Sequence, residues 1–135
     1  MIGCAALVSV AVPALGSTAA SAAPARQHQT FTAQGTGQLT TGPTSVVITD
    51  ADVDGTTTIG HDVLSCTVSE TGQQCDVAFA QAGGLLLGRF AIEDSTGRLS
   101  GSVTGGTGRY RHAHGSISGR SLSSAGVQIT LSYTR

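Results

Sequence analysis

From Thr30 onward, apolar and polar side chains alternate almost one for one, and turn-forming residues interrupt the alternation at short intervals. A period of two is what a strand with one buried face requires. It predicts strands over Thr30–Gly37, Thr44–Val53, Thr56–Gly60, Val63–Ser69, Cys75–Gln81, Leu85–Glu93, Gly97–Val103, Tyr110–Ser118 and Val127–Tyr133. The expected turns are Thr41-Gly42-Pro43, Asp54-Gly55, Thr71-Gly72, Gly83-Gly84, Ser95-Thr96-Gly97, Gly105-Gly106-Thr107-Gly108 and Ala125-Gly126. No helical stripe is evident after Arg26. About eight or nine short antiparallel strands in one domain's length imply an all-β barrel or sandwich. Closure would remove sheet edges, which suits a chain without lysine to guard them.

Sidedness can be read in places. Val46 and Ile48 share a face with Asp50 and Asp52. Val127, Ile129, Leu131 and Tyr133 form an apolar face expected in the core. Between Leu85 and Glu93 the set Leu85, Leu87, Arg89, Ala91, Glu93 alternates with Leu86, Gly88, Phe90, Ile92, and both sets are rich in apolar residues. After Tyr110, His112, His114, Ser116 and Ser118 are expected on one strand face.

Ahead of the strands, residues 2–22 carry no charge and run from apolar to small. Ile2 to Leu15 resembles a secretory h-region, and Ala20-Ser21-Ala22 fits the small-x-small cleavage rule. Cleavage is expected after Ala22, with Ala25 as a later option. A membrane anchor needs about 20 apolar residues; this run is shorter and is broken by Pro13 and Gly16. No Lys or Arg precedes the h-region, so the true start is expected upstream of Met1. Met1-Ile2-Gly3-Cys4 is a poor lipoprotein box. The expected organisation is a signal peptide over 1–22, a flexible segment over 23–28 and a barrel over 29–135. The mature protein is then secreted, with no membrane attachment.

Export leaves Cys66 and Cys75, in DVLSCTVSE and QCDVAFAQ, where a disulfide can persist. A cross-strand bridge is expected; its spacing fits neither a C-x-x-C redox pair nor a zinc site. The formal charge is −1, with seven Arg, no Lys and eight acidic residues in no like-charge block. A nucleic-acid surface is therefore not expected. Two Tyr, three Phe and no Trp also argue against base-stacking platforms. With 19 Gly, 18 Thr and 15 Ser, the chain suits short strands and tight turns.

Several constellations could carry chemistry. Asp50-Ala51-Asp52-Val53-Asp54-Gly55 matches the first half of a calcium loop, but position 12 is His61 instead of the bidentate Glu. His112 and His114 supply two ligands of a zinc site that lacks a third, so no metal is expected. Ser, His and Asp occur without a G-x-S-x-G elbow. If the barrel encloses a cavity, Arg89, Glu93 and Asp50 are the candidate polar contacts for a ligand, and Tyr110 is a rim or wall.

The run Gly105-Gly106-Thr107-Gly108-Arg109-Tyr110-Arg111-His112-Ala113-His114-Gly115 joins a glycine-rich turn to an aromatic and a small-residue segment. Its glycines permit positive φ, Thr107 can bond its own loop, and Ala113 and Gly115 thin one strand face. This run resembles the signature of the allene oxide cyclase/dirigent barrel superfamily, and residues 29–135 are similar to small secreted bacterial members. The resemblance implies a closed, eight-stranded antiparallel barrel with an apolar cavity, and a homo-oligomer, which is a trimer in the plant members. It implies a small hydrophobic molecule as partner, no cofactor, and a cyclisation or coupling guided by positioning. His114 stands where Arg is common. The rival reading is a filled barrel serving as a non-catalytic extracellular interaction protein, with calcium as a further stabiliser. A cavity of about 300 Å³ or more would favour the ligand reading.

Overall fold

The alternation becomes eight strands in the computed structural model, which describes Gly16 and residues 22–135. They are β1 (Gln27–Thr40), β2 (Ser45–Asp54), β3 (Thr57–Ser69), β4 (Gly72–Gln81), β5 (Gly84–Glu93), β6 (Arg98–Gly106), β7 (His114–Leu122) and β8 (Gly126–Thr134). Each pairs antiparallel with the next. β1 pairs with β8 from Gln27↔Tyr133 to Ala33↔Val127, which closes the barrel. The expected leader, with Cys4, lies outside the described residues except for Gly16 and Ala22. Among the described residues no helix is long and apolar enough to cross a membrane.

Inward-facing residues fill much of the cylinder. Phe31 meets Phe79 edge-to-face at 5.7 Å between ring centres, and Leu86, Phe90, Ile117, Ile129 and Leu131 pack with them. Ile129, Leu131 and Tyr133 are buried as the alternation of β8 predicts. On β5 the inward set is Leu86, Gly88 and Phe90. Cys66 and Cys75 stand opposite each other on β3 and β4, bonded across a Cα separation of 4.1 Å.

Three expectations are corrected. Thr56–Gly60 and Val63–Ser69 are one strand, because β3 absorbs Ile59 as an extra residue between Val53↔Thr58 and Asp52↔Gly60. β1 begins at Gln27, inside the segment expected to be flexible, because its first residues pair with β8. Tyr110 to Ala113 is not strand. Gly108–Tyr110 forms a single 3₁₀ turn, and β7 starts only at His114, so His112 and His114 do not share a strand face.

The glycine turn is fixed by its neighbour. The Thr107 side chain bonds β5 and not its own loop: Oγ1 accepts from the Leu85 N–H (3.0 Å), the Thr107 N–H donates to the Leu85 carbonyl (2.8 Å), and within the loop only its carbonyl accepts, from the Tyr110 N–H (3.0 Å). Gly108 has φ +57°, and a Cβ there would run into the Gly83 carbonyl oxygen. The barrel thus has a glycine-turn end, where β1 and β7 begin. At the far end β1 finishes and Asp94–Gly97 links β5 to β6.

Candidate functional site

Strand β2 sends Val46, Ile48, Asp50 and Asp52 toward the interior, as the alternation predicts. The Ile59 bulge sets the parity of β3. Without it, Asp50 would oppose His61; with it, Asp50 opposes Asp62, and His61 turns outward. Asp52 lies diagonally across from Asp62, within side-chain reach. Three carboxyls therefore share one side of the barrel interior. Asp52 is 0% exposed, Asp62 1% and Asp50 8%.

Burying carboxylates together is costly, and the cost appears as retained protons. Burial, and then the charges of Asp52 and Asp50, push Asp62 up to about 9. Burial, opposed by the hydrogen bond from Asp62, raises Asp52 to about 6. Burial also raises Asp50, and the bond to Asp62 opposes the rise. No N–H or hydroxyl among the described residues donates to either oxygen of Asp52 or Asp62. A proton on Asp62 changes this, because the acid can donate to its neighbouring carboxylates. At neutral pH the cluster is a proton-holding unit and not three free anions.

Asp50 is the member of this cluster that reaches open space. A cavity of about 350 Å³ occupies the far end of the barrel. Ala33, Ile48, Leu64, Phe90, Leu99 and Ile129 line it, with the Cys66–Cys75 bridge in the wall. Glu93 and Asp94 stand at its mouth, both exposed. Asp50 is thus the one buried carboxyl in the wall of a mainly apolar chamber, whose lining also includes Gln73 and Ser121. Gly35, opposite Asp50 on β1, leaves room beside it: an added Cβ would meet Asp50 Oδ1 at 3.7 Å.

The other candidates fall elsewhere. Arg89 points outward, paired with Asp76 at 2.7 Å across the outer face, because β5 turns Phe90 and Leu86 inward. Its expected place in the cavity wall is corrected. Glu93 caps a turn by accepting from Thr96 Oγ1 (2.9 Å) and touches only the mouth. Tyr110 is buried at the opposite end, and its hydroxyl donates to the Ala82 carbonyl at 3.2 Å. The calcium-loop reading is also corrected: its aspartates run along a straight strand, Asp50 and Asp52 inward and Asp54 at the exposed turn, so they do not wrap a common centre.

No family model matches the chain, and no curated protein matches it. Among solved structures it is similar to a pyocyanin demethylase, with TM-score 0.67 and 16% identity over 80% of this chain and 100% of that one. The likeness is one of fold. It supports a closed small barrel and does not single out the allene oxide cyclase/dirigent branch.

Proposed function

We propose that this chain is a secreted barrel that holds one small hydrophobic molecule in its far-end cavity, with Asp50 as the polar contact that orients the guest. The observation that carries the reading is a mainly apolar chamber of about 350 Å³ with one buried carboxyl, Asp50, in its wall. This is the composition of small-molecule sites, where a few placed polar groups fix orientation within an apolar surround. A filled barrel would offer no such space. The neighbouring fold belongs to a protein named for acting on pyocyanin, which supports small-molecule handling by this architecture. Secretion is supported by the disulfide and by the apolar, small-residue leader.

The chemistry follows from the protons. A protonated Asp50 donates a hydrogen bond to an oxygen or nitrogen of the guest, and an ionised one accepts from it. Asp62 and Asp52 behind it supply or take up the difference. Such a chamber would guide a cyclisation or coupling by folding a reactive guest into one conformer, without a cofactor. The test is a fluorescence titration with the neutral probe N-phenyl-1-naphthylamine. Saturable binding by the native chain is expected, with loss of binding in Gly35→Leu, whose side chain grows into the cavity beside Asp50. Absence of binding by the native chain, or equal binding by a folded Gly35→Leu, would overturn the reading.

A further inference from the structure

The glycine-turn end of the barrel carries a second recess, of about 360 Å³, which the far-end cavity does not explain. Tyr110, Tyr133, Ile59, Gln81, Arg109 and His28 line it. Its floor is two tyrosine rings set edge-to-face at 6.1 Å. The Arg109 guanidinium lies 5.4 Å from the centre of the Tyr110 ring. The stem of Arg109 packs against Gly83 so closely that a Cβ on Gly83 would run into it. The Arg109 N–H also donates to the Gly83 carbonyl at 3.0 Å. This cation is therefore held in place by its backbone and its stem.

Three observations give the recess a sign. Among the described residues the one ion pair is Arg89–Asp76, so Arg109 and its neighbour Arg135 have no carboxylate partner. Both arginines act on the Tyr133 hydroxyl, opposing the rise that burial imposes on it. Gln81 Nε2 is a buried donor with no acceptor. An unsatisfied buried donor is costly, and an acceptor from a guest would remove that cost.

We infer that this recess binds a small aromatic carboxylate, with the carboxylate oxygens on Arg109 and Gln81 Nε2 and the ring against Tyr110, Tyr133 and Ile59. The guanidinium fork suits a carboxylate in two-pronged geometry, and it already lies over the Tyr110 ring. The inference does not depend on the far-end cavity.

Amide and side-chain ¹H–¹⁵N shift mapping on the full chain tests it with three probes of one ring: benzoate, benzyl alcohol and benzylammonium. Benzoate is expected to shift the Gln81 side-chain amide, Arg109 Nε–H and Gly83. It is expected to bind at least about tenfold tighter than either other probe. Arg109→Gln should weaken benzoate by about tenfold or more, while Arg111→Gln, outside the recess, should not. Gln81→Leu provides a second variant should Arg109→Gln fail to fold, and it too should weaken benzoate. Equal binding of the three probes, an unchanged affinity in a folded variant of Arg109 or Gln81, or shifts confined to Ala33, Gly35 and Ile129 would overturn it.

Discussion

Asp62 occupies an unusual position, fully buried opposite one carboxyl and diagonal to another. Its folded value of about 9 lies far above the ordinary 3.8. Between those two pH values the folded chain holds a proton that the unfolded chain has released, so raising the pH favours unfolding. The stabilisation is fully present below about pH 4 and is lost as pH rises to about 9. Asp52 adds the same sign over the narrower window from 3.8 to about 6. Thermal melts should show a higher Tm at mildly acidic than at mildly alkaline pH. Asp62→Asn, which mimics the protonated acid in shape and charge, should raise the alkaline Tm and flatten this slope. A native Tm that climbs with pH would contradict the burial of these groups. The sequence marked Asp50 and Asp52 as sharing a face with Val46 and Ile48, and that much was legible. Asp62 was not, because its direction depends on a bulge that alternation does not reveal.

The bulge is a property of the β2–β3 hairpin. Counting back from the Asp54-Gly55 turn places His61 opposite Asp50, and only the extra Ile59 exchanges His61 for Asp62. Strand existence was legible because side chains alternate; register was not, because it is set by one irregular residue. The ambiguity of β5 has a similar cause. Both of its faces carry apolar residues, and what decides between them is the burial of Leu86 and Phe90 in the core, which leaves Arg89 outside, opposite Asp76 of β4. The cysteine pair was legible from two strand-like runs around Thr71-Gly72. In the chain-entropy model its ten-residue loop contributes about 2.7 kcal/mol. Reduction, or Cys66→Ser with Cys75→Ser, should lower Tm on the order of 10 °C in calorimetry. Gly108→Ala should destabilise by more than about 1 kcal/mol in denaturant titration, since its φ of +57° and the Gly83 carbonyl leave no room for a methyl. Wild-type stability in either variant would contradict the geometry of that element.

Taken as a closed cylinder, the molecule has two unlike ends. The far end opens into a mainly apolar chamber whose wall presents Asp50, with Glu93 and Asp94 at its mouth. The glycine-turn end is plugged by Tyr110 and Tyr133 and carries Arg109 and Arg135, which have no acid partner among the described residues. Strand and turn spacing left a barrel or a sandwich open, and closure was expected from the resemblance that the glycine-turn run carries, whereas the assignment of each candidate residue to an end or a face needed the pairing of all eight strands. The carboxyls behind the chamber keep their raised values only through burial, since water around them would return those groups to ordinary behaviour. The most direct measurement is therefore an NMR titration of the aspartate side-chain carboxyl carbons between pH 3 and pH 10. The expected result is one carboxyl titrating near 9 and another near 6, assigned to Asp62 and Asp52 by their Asn variants. Six aspartates all titrating near the ordinary 3.8 would contradict the buried carboxyl cluster.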